Sequence, residues 1–172
     1  GHRGAVLVDS VVRAGTSFRI LLPISSKAQD EVDAEPIQSA RGHEHAGAVL
    51  LVDDEDMIRF VAERILTESG FDVDVSADGH DALRRISERS SPYDLIVLDL
   101  TMPGMSGVEV FHAVRIQNPS QRVILMSGFS PEEVLQRLGS EEPDGFLAKP
   151  FDYGTMLAVI QHALQDGNKK PK

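Results

Sequence analysis

From residue 48 onward the chain alternates short apolar runs with longer segments whose apolar residues recur every three or four positions. Runs at 49–52, 73–75, 95–98, 123–126 and 145–147 have the length of strands. The middle runs are apolar throughout, as expected when both faces of a parallel sheet are covered. Helix starts are well signed between them. Ser130-Pro131-Glu132-Glu133 offers a capping hydroxyl, a proline at the first helical position and a glutamate at the third. Ser106-Gly107-Val108-Glu109 is a second capping box, and Asp78 and Asp152 begin two further helices. In the first helix Ile58, Val61, Ala62 and Ile65 are predicted to share one buried face. Five strand–helix units within residues 48–166 predict a doubly wound α/β domain with right-handed crossovers.

Outside this region the pattern changes. Residues 1–23 read as two strands on either side of Arg13-Ala14-Gly15. A lone hairpin is marginal in water, so this one is expected to belong to a larger sheet. Residues 24–47 are rich in Ser, Lys, Gln, Asp, Glu, Pro, Gly and His, without apolar periodicity, and read as a flexible linker. Residues 167–172 form a polar tail.

Composition narrows the chemistry. The chain has 172 residues and no cysteine, which excludes disulfides, zinc-thiolate sites and thiol nucleophiles. No apolar run approaches the ~20 residues of a membrane-spanning helix, and the first residues do not have the form of a secretory signal. A cytoplasmic location without membrane contact is the expectation. Net charge is −10. Residues 48–166 hold 21 Asp and Glu against 9 Lys and Arg, a balance of −12 that disfavours nucleic acid as a partner. Lys149 is the only lysine in that stretch.

In an open α/β sheet, ligands bind beyond the carboxyl ends of the strands. The predicted strands end at Asp53-Asp54, Asp99, Ser127 and Lys149, bringing three carboxylates, a hydroxyl and an ammonium to one edge. Taken singly, each has a plain structural explanation: Asp53 or Asp54 as a helix cap, Asp99 as a turn former, Ser127-Gly128 as a loop pair. As a set they do not. Clustered carboxylates raise one another's pKa unless a cation lies among them. An all-oxygen donor set with room for water suits Mg²⁺.

On these motifs, residues 48–166 resemble the receiver domain of two-component response regulators: an acidic pair after the first strand, an aspartate after the third, Ser after the fourth and Lys-Pro after the fifth. The resemblance implies a flavodoxin-like (βα)5 fold with a five-stranded parallel sheet of order 2-1-3-4-5. It implies Asp99 as phosphoacceptor and Asp54 as a direct Mg²⁺ ligand, with Asp53 acting mainly through water and Thr101 through its backbone carbonyl. Ser127 and Lys149 would hold the phosphoryl oxygens, and Lys149-Pro150 would be a cis peptide. Ser127 and Phe146 would form the switch. In receivers the residues two after the phosphoacceptor and two after the Ser or Thr flank the attacking water. Here they are Thr101 and Phe129, which carry no carboxamide or carboxylate, so slow self-dephosphorylation is expected. Partners would be a histidine-kinase phosphoacceptor domain or a histidine phosphotransfer protein, with Met57 and Phe60 near the docking edge.

Residues 1–23 resemble the last strands of a histidine-kinase ATP-binding domain through Ala14-Gly15-Thr16-Ser17-Phe18, which suggests the carboxyl-terminal end of a hybrid sensor kinase. Motifs for ATP and for a phosphorylatable histidine are absent from the chain, so it is not expected to act as a kinase itself. His43 and His45 in the linker are a weak metal-site candidate. Other classes fit less well. A haloacid-dehalogenase-type Mg²⁺ phosphatase requires a second aspartate two residues after the first, where Thr101 stands. A flavodoxin-like binding module requires a hydroxyl-rich phosphate loop, where Asp53-Asp54 would repel a phosphate. No DNA-binding domain is expected within the chain.

Overall fold

Two compact units, Gly1–Arg41 and Gly42–Lys172, make up the computed structural model of the protein, which describes residues 5–11, 13, 15–21, 46–139 and 141–166. The predicted tail at 167–172 and most of the predicted linker, His43 and His45 included, lie outside the described residues.

In the first unit β1 (Ala5–Val11) pairs antiparallel with β2 (Gly15–Leu21), in register from Ala5 opposite Leu21 to Val11 opposite Gly15. The turn uses the left-handed region at Arg13 (φ 65°) and a positive φ at Gly15 (117°), the latter a conformation glycine adopts without strain. Val6, Val8, Phe18 and Ile20 share one face by strand alternation, and all four are exposed.

The second unit runs β3 (Ala48–Val52), α1 (Asp56–Glu68), β4 (Asp72–Ser76), α2 (Gly79–Glu88), β5 (Leu95–Asp99), α3 (Gly107–Gln117), β6 (Val123–Ser127), α4 (Pro131–Leu138), β7 (Gly145–Ala148) and α5 (Tyr153–Asp166). Its strands form one parallel sheet in the order β4-β3-β5-β6-β7, which is order 2-1-3-4-5 within the domain. Both capping boxes form, at Ser106 with Glu109 and at Ser130 with Glu133. The Asp78 and Asp152 side chains accept the backbone N–H of Asp81 and Thr155.

Strand alternation divides the apolar residues into two cores. Leu50, Val52, Ile96, Leu98, Val123 and Leu125 face α2, α3 and α4. Val49, Leu51, Leu95, Val97, Ile124 and Met126 face α1 and α5. Every residue of β5 and β6 is buried, which is why those strands read as unbroken apolar runs.

Two expectations change. Val61 is 44% exposed, and the buried face of α1 is Ala62, Ile65 and Leu66 instead. The four-residue step from Ile58 to Ala62 sets that face, leaving Val61 on its solvent side. The predicted linker also ends two residues early. Ala46 N–H donates to Gly70 and Gly47 accepts from Asp72, so both residues are already bonded to the α1–β4 connection and the first residue of β4 before β3 begins. Among the described residues no helix is long and apolar enough to cross a membrane.

Candidate functional site

The carboxyl ends of β3, β5, β6 and β7 meet at one edge of the sheet. Asp53 follows β3 and is fully buried, Asp99 ends β5 at 3% exposure, and Ser127 ends β6 at 1%. Carboxylate oxygens of Asp53, Asp54 and Asp99 all lie within 4.8 Å of one another. Lys149, just beyond β7, reaches into this cluster: its Nζ lies 2.6 Å from Asp53 Oδ2, 3.1 Å from Asp99 Oδ1 and 3.9 Å from Glu55 Oε1. The Lys149–Pro150 peptide is cis, and Lys149 N–H donates to the carbonyl of Ser127 at 2.8 Å.

Local bonds fix each group. Asp53 Oδ1 accepts the N–H of Glu55 at 2.9 Å, and Asp53 N–H donates to Ser76 at 3.2 Å. The backbone N–H of Thr101 bonds the Asp99 carboxylate. Ser127 Oγ accepts the N–H of Phe129 at 3.0 Å. Phe146 sits beside Leu125 in the sheet and packs on the α2–α4 core, the side of the sheet that Ser127 also faces by alternation. At the far end of β7, buried Arg115 pairs with Asp144 at 2.8 Å and donates to the Glu142 carbonyl, holding the segment that leads into the strand.

The electrostatics follow from crowding. Burial pushes the Asp99 carboxyl above the usual carboxylate range, the Lys149 ammonium opposes the rise, and the Asp53 charge adds to it. Burial works against the charged form of Lys149, but hydrogen bonds and attraction from Asp53 and Asp99 outweigh it, so its pKa is raised. Three carboxylates face one ammonium, which leaves the cluster short of positive charge. Hard oxygen donors this close, with Asp54 reaching solvent, fit a divalent cation of the Mg²⁺ or Ca²⁺ type.

Two residues of the site carry no clear mark in the sequence. Arg59, from α1, donates to the backbone carbonyl of Asp53 at 2.5 Å and pairs with Asp56. Its spacing, one helical turn after Glu55 and three residues after Asp56, is the available signal. Gly107, which the sequence presents only as part of a capping box, lies against the backbone that carries Asp99. A Cβ there would overlap the Asp99 carbonyl oxygen and stand 2.7 Å from Leu100 Cα.

Known proteins resemble this chain in sequence and in fold. The chain is 30% identical over 168 residues to the sensor kinase CckA of Brucella abortus, covering 94% of this chain and 18% of that one. The curated relatives compared are matched over 18 to 52% of their length. Among solved structures, the chemotaxis response regulator CheY4 of Vibrio cholerae superimposes with a TM-score of 0.62 at 32% identity, over 68% of this chain and 98% of that one. The response regulator TrrA of Thermotoga maritima, solved in complex with Mg²⁺ and BeF, gives 0.59 at 29% identity over 68% and 98%. Residues 49–161 match the family model of the response regulator receiver domain. With that match running from β3 into α5, and the acidic edge where such a sheet places its ligands, this chain belongs to the receiver domains of two-component systems.

Proposed function

We propose that this domain accepts a phosphoryl group from a phosphohistidine onto Asp99, with Mg²⁺ held by Asp53, Asp54, Asp99 and the backbone carbonyl of Thr101. The observation that carries this reading is the Lys149 ammonium lying against both Asp53 and Asp99 inside the carboxylate cluster. An Asp99 oxygen attacks phosphorus in line, the P–N bond breaks, and its electron pair stays on the imidazole nitrogen. Lys149, 3.1 Å from Asp99 Oδ1, is placed to hold an oxygen of the arriving group. Ser127 Oγ already accepts from Phe129 N–H, so its own proton is the one it can donate to a second oxygen. Bound Mg²⁺ supplies charge neutralisation for the transfer. The Mg²⁺ and BeF complex of TrrA, a relative of the same fold, supports this assignment of the pocket.

The product adds nearly two negative charges at the sheet edge. Movement of Ser127 toward them, followed by Phe146, is the proposed switch. The similarity to CckA extends over 94% of the chain, beyond the receiver itself, and supports placing it in a hybrid sensor kinase, with residues 1–23 as the end of an ATP-binding domain and the receiver in the cytoplasm. The proposed partner is a helical histidine-bearing domain, approaching past Met57 and Phe60, which are 72% and 62% exposed on α1.

Intact-mass measurement after incubation with acetyl phosphate, with and without Mg²⁺, tests the reading. One phosphoryl adduct that requires both Mg²⁺ and Asp99, and is lost in Asp99→Asn, is expected. An adduct that persists in Asp99→Asn refutes the assignment.

A further inference from the structure

Helix α1 begins without the usual device. Its N-cap residue Glu55 makes no side-chain cap, and the Glu55 N–H is instead taken up by the Asp53 carboxylate. The remaining anchor of this connection is Arg59. One end of its guanidinium donates to the carbonyl of Asp53 and another to the carboxylate of Asp56, with the side chain only 17% exposed. Asp53 is thereby held at each polar group: carboxylate by Lys149 and Glu55, N–H by Ser76, and carbonyl by Arg59.

The carbonyl matters most for Asp54. It belongs to the planar peptide unit that joins Asp53 to Asp54, so fixing that oxygen also fixes the direction in which the Asp54 backbone leaves. We infer that Arg59 is a positioning residue for the metal-binding acidic pair: its fork locks the 53–54 peptide and so aims the Asp54 carboxylate at the cluster. This rests on the Mg²⁺ reading of the site given above.

Simple charge makes the opposite forecast. Arg59 carries a positive charge beside a cation site, and on Coulomb grounds removing it strengthens Mg²⁺ binding. A role limited to holding the helix start would lower stability and leave the affinity of the folded protein unchanged. The positioning role predicts weaker binding, on the scale of the 10- to 100-fold, roughly, that follows loss of a group orienting a metal ligand. Lysine keeps the charge but presents no planar fork able to bridge the two oxygens.

The test is calorimetric titration of the whole chain with Mg²⁺, comparing wild type, Arg59→Met and Arg59→Lys, each first shown by thermal unfolding in EDTA to be folded. Both variants are expected to bind Mg²⁺ at least about tenfold more weakly than wild type. Affinity in Arg59→Met equal to or tighter than wild type overturns the inference. Arg59→Lys at wild-type affinity overturns the role of the fork, and this variant alone decides the outcome if Arg59→Met does not fold. A wild-type chain that fails to bind Mg²⁺ overturns the reading of the site and this inference together. Normal wild-type binding with unaffected variants overturns the Arg59 inference alone.

Discussion

The ammonium of Lys149 and the carboxylate of Asp53 meet at 2.6 Å across 96 residues of sequence, and the same ammonium lies 3.1 Å from Asp99. One cation therefore serves two buried anions, and its loss acts in two directions. In Lys149→Met, Mg²⁺ binding tightens because the competing positive charge is gone. Phosphoryl acceptance slows by about 100-fold because a positioned charge at the transferring group is gone. Calorimetry and intact-mass time courses on the same variant separate the effects. Weakened Mg²⁺ binding would contradict this account.

Asp99 is more easily ionised in the unfolded chain than in the folded one. Its raised pKa has burial as the main cause, so the folded form holds its proton more tightly and ionisation costs stability. That cost is absent at pH below the unfolded value, grows as pH rises through the folded pKa, and is complete above it. In EDTA at neutral pH, Asp99→Asn is expected to unfold a few degrees above wild type. The gap should close as pH falls below the ordinary carboxylate range. A lower unfolding temperature for the variant at neutral pH would contradict a burial cost at Asp99.

Gly107 allows the start of α3 to sit against the main chain of Asp99. Alanine there meets backbone atoms that have no rotamer to give, so Gly107→Ala is expected to destabilise by about 2–3 kcal/mol despite the better helix propensity of alanine. Chemical denaturation measures it, and an unchanged or raised midpoint would mean that the backbone can yield at this contact.

Thr101 and Phe129 lack a group able to orient an attacking water. The phosphorylated domain is expected to persist for minutes or longer, and Thr101→Asn should shorten that lifetime. Decay of the mass adduct after removal of acetyl phosphate reads both. Decay of the wild type within seconds would refute the expectation.

Much of this architecture is legible in the sequence because local and global signals agree. Apolar runs that are buried on both faces, and two capping boxes that form, leave little choice for β5, β6, α3 and α4. The acidic edge is legible because each of its residues stands at, or just beyond, the end of a strand. What the sequence hides depends on contacts across the chain. A capping-box glycine gives no sign that its α-hydrogen faces the Asp99 carbonyl. Arg59 resembles any other surface charge, and only its bond to Asp53 distinguishes it. Val61 departs from its expected burial because an apolar residue at helical spacing can fall at the margin of a stripe, where burial depends on the neighbour it meets. Ala46 and Gly47 carry linker-like composition, and only their hydrogen bonds tie them to the α/β unit.

The alternation of the sheet also sorts the site. Along β5, Asp99 keeps the parity of Leu95 and Val97, toward α1 and α5, whereas Ser127 keeps that of Val123 and Leu125, toward α2, α3 and α4, the side on which Phe146 packs. Under the proposed chemistry, the sheet thus stands between a writing side and a reading side: the mark is made on the first, and the Ser127 hydroxyl is the route across. A partner that recognises the marked state need never touch the residue that carries the mark, and the two surfaces are free to change independently.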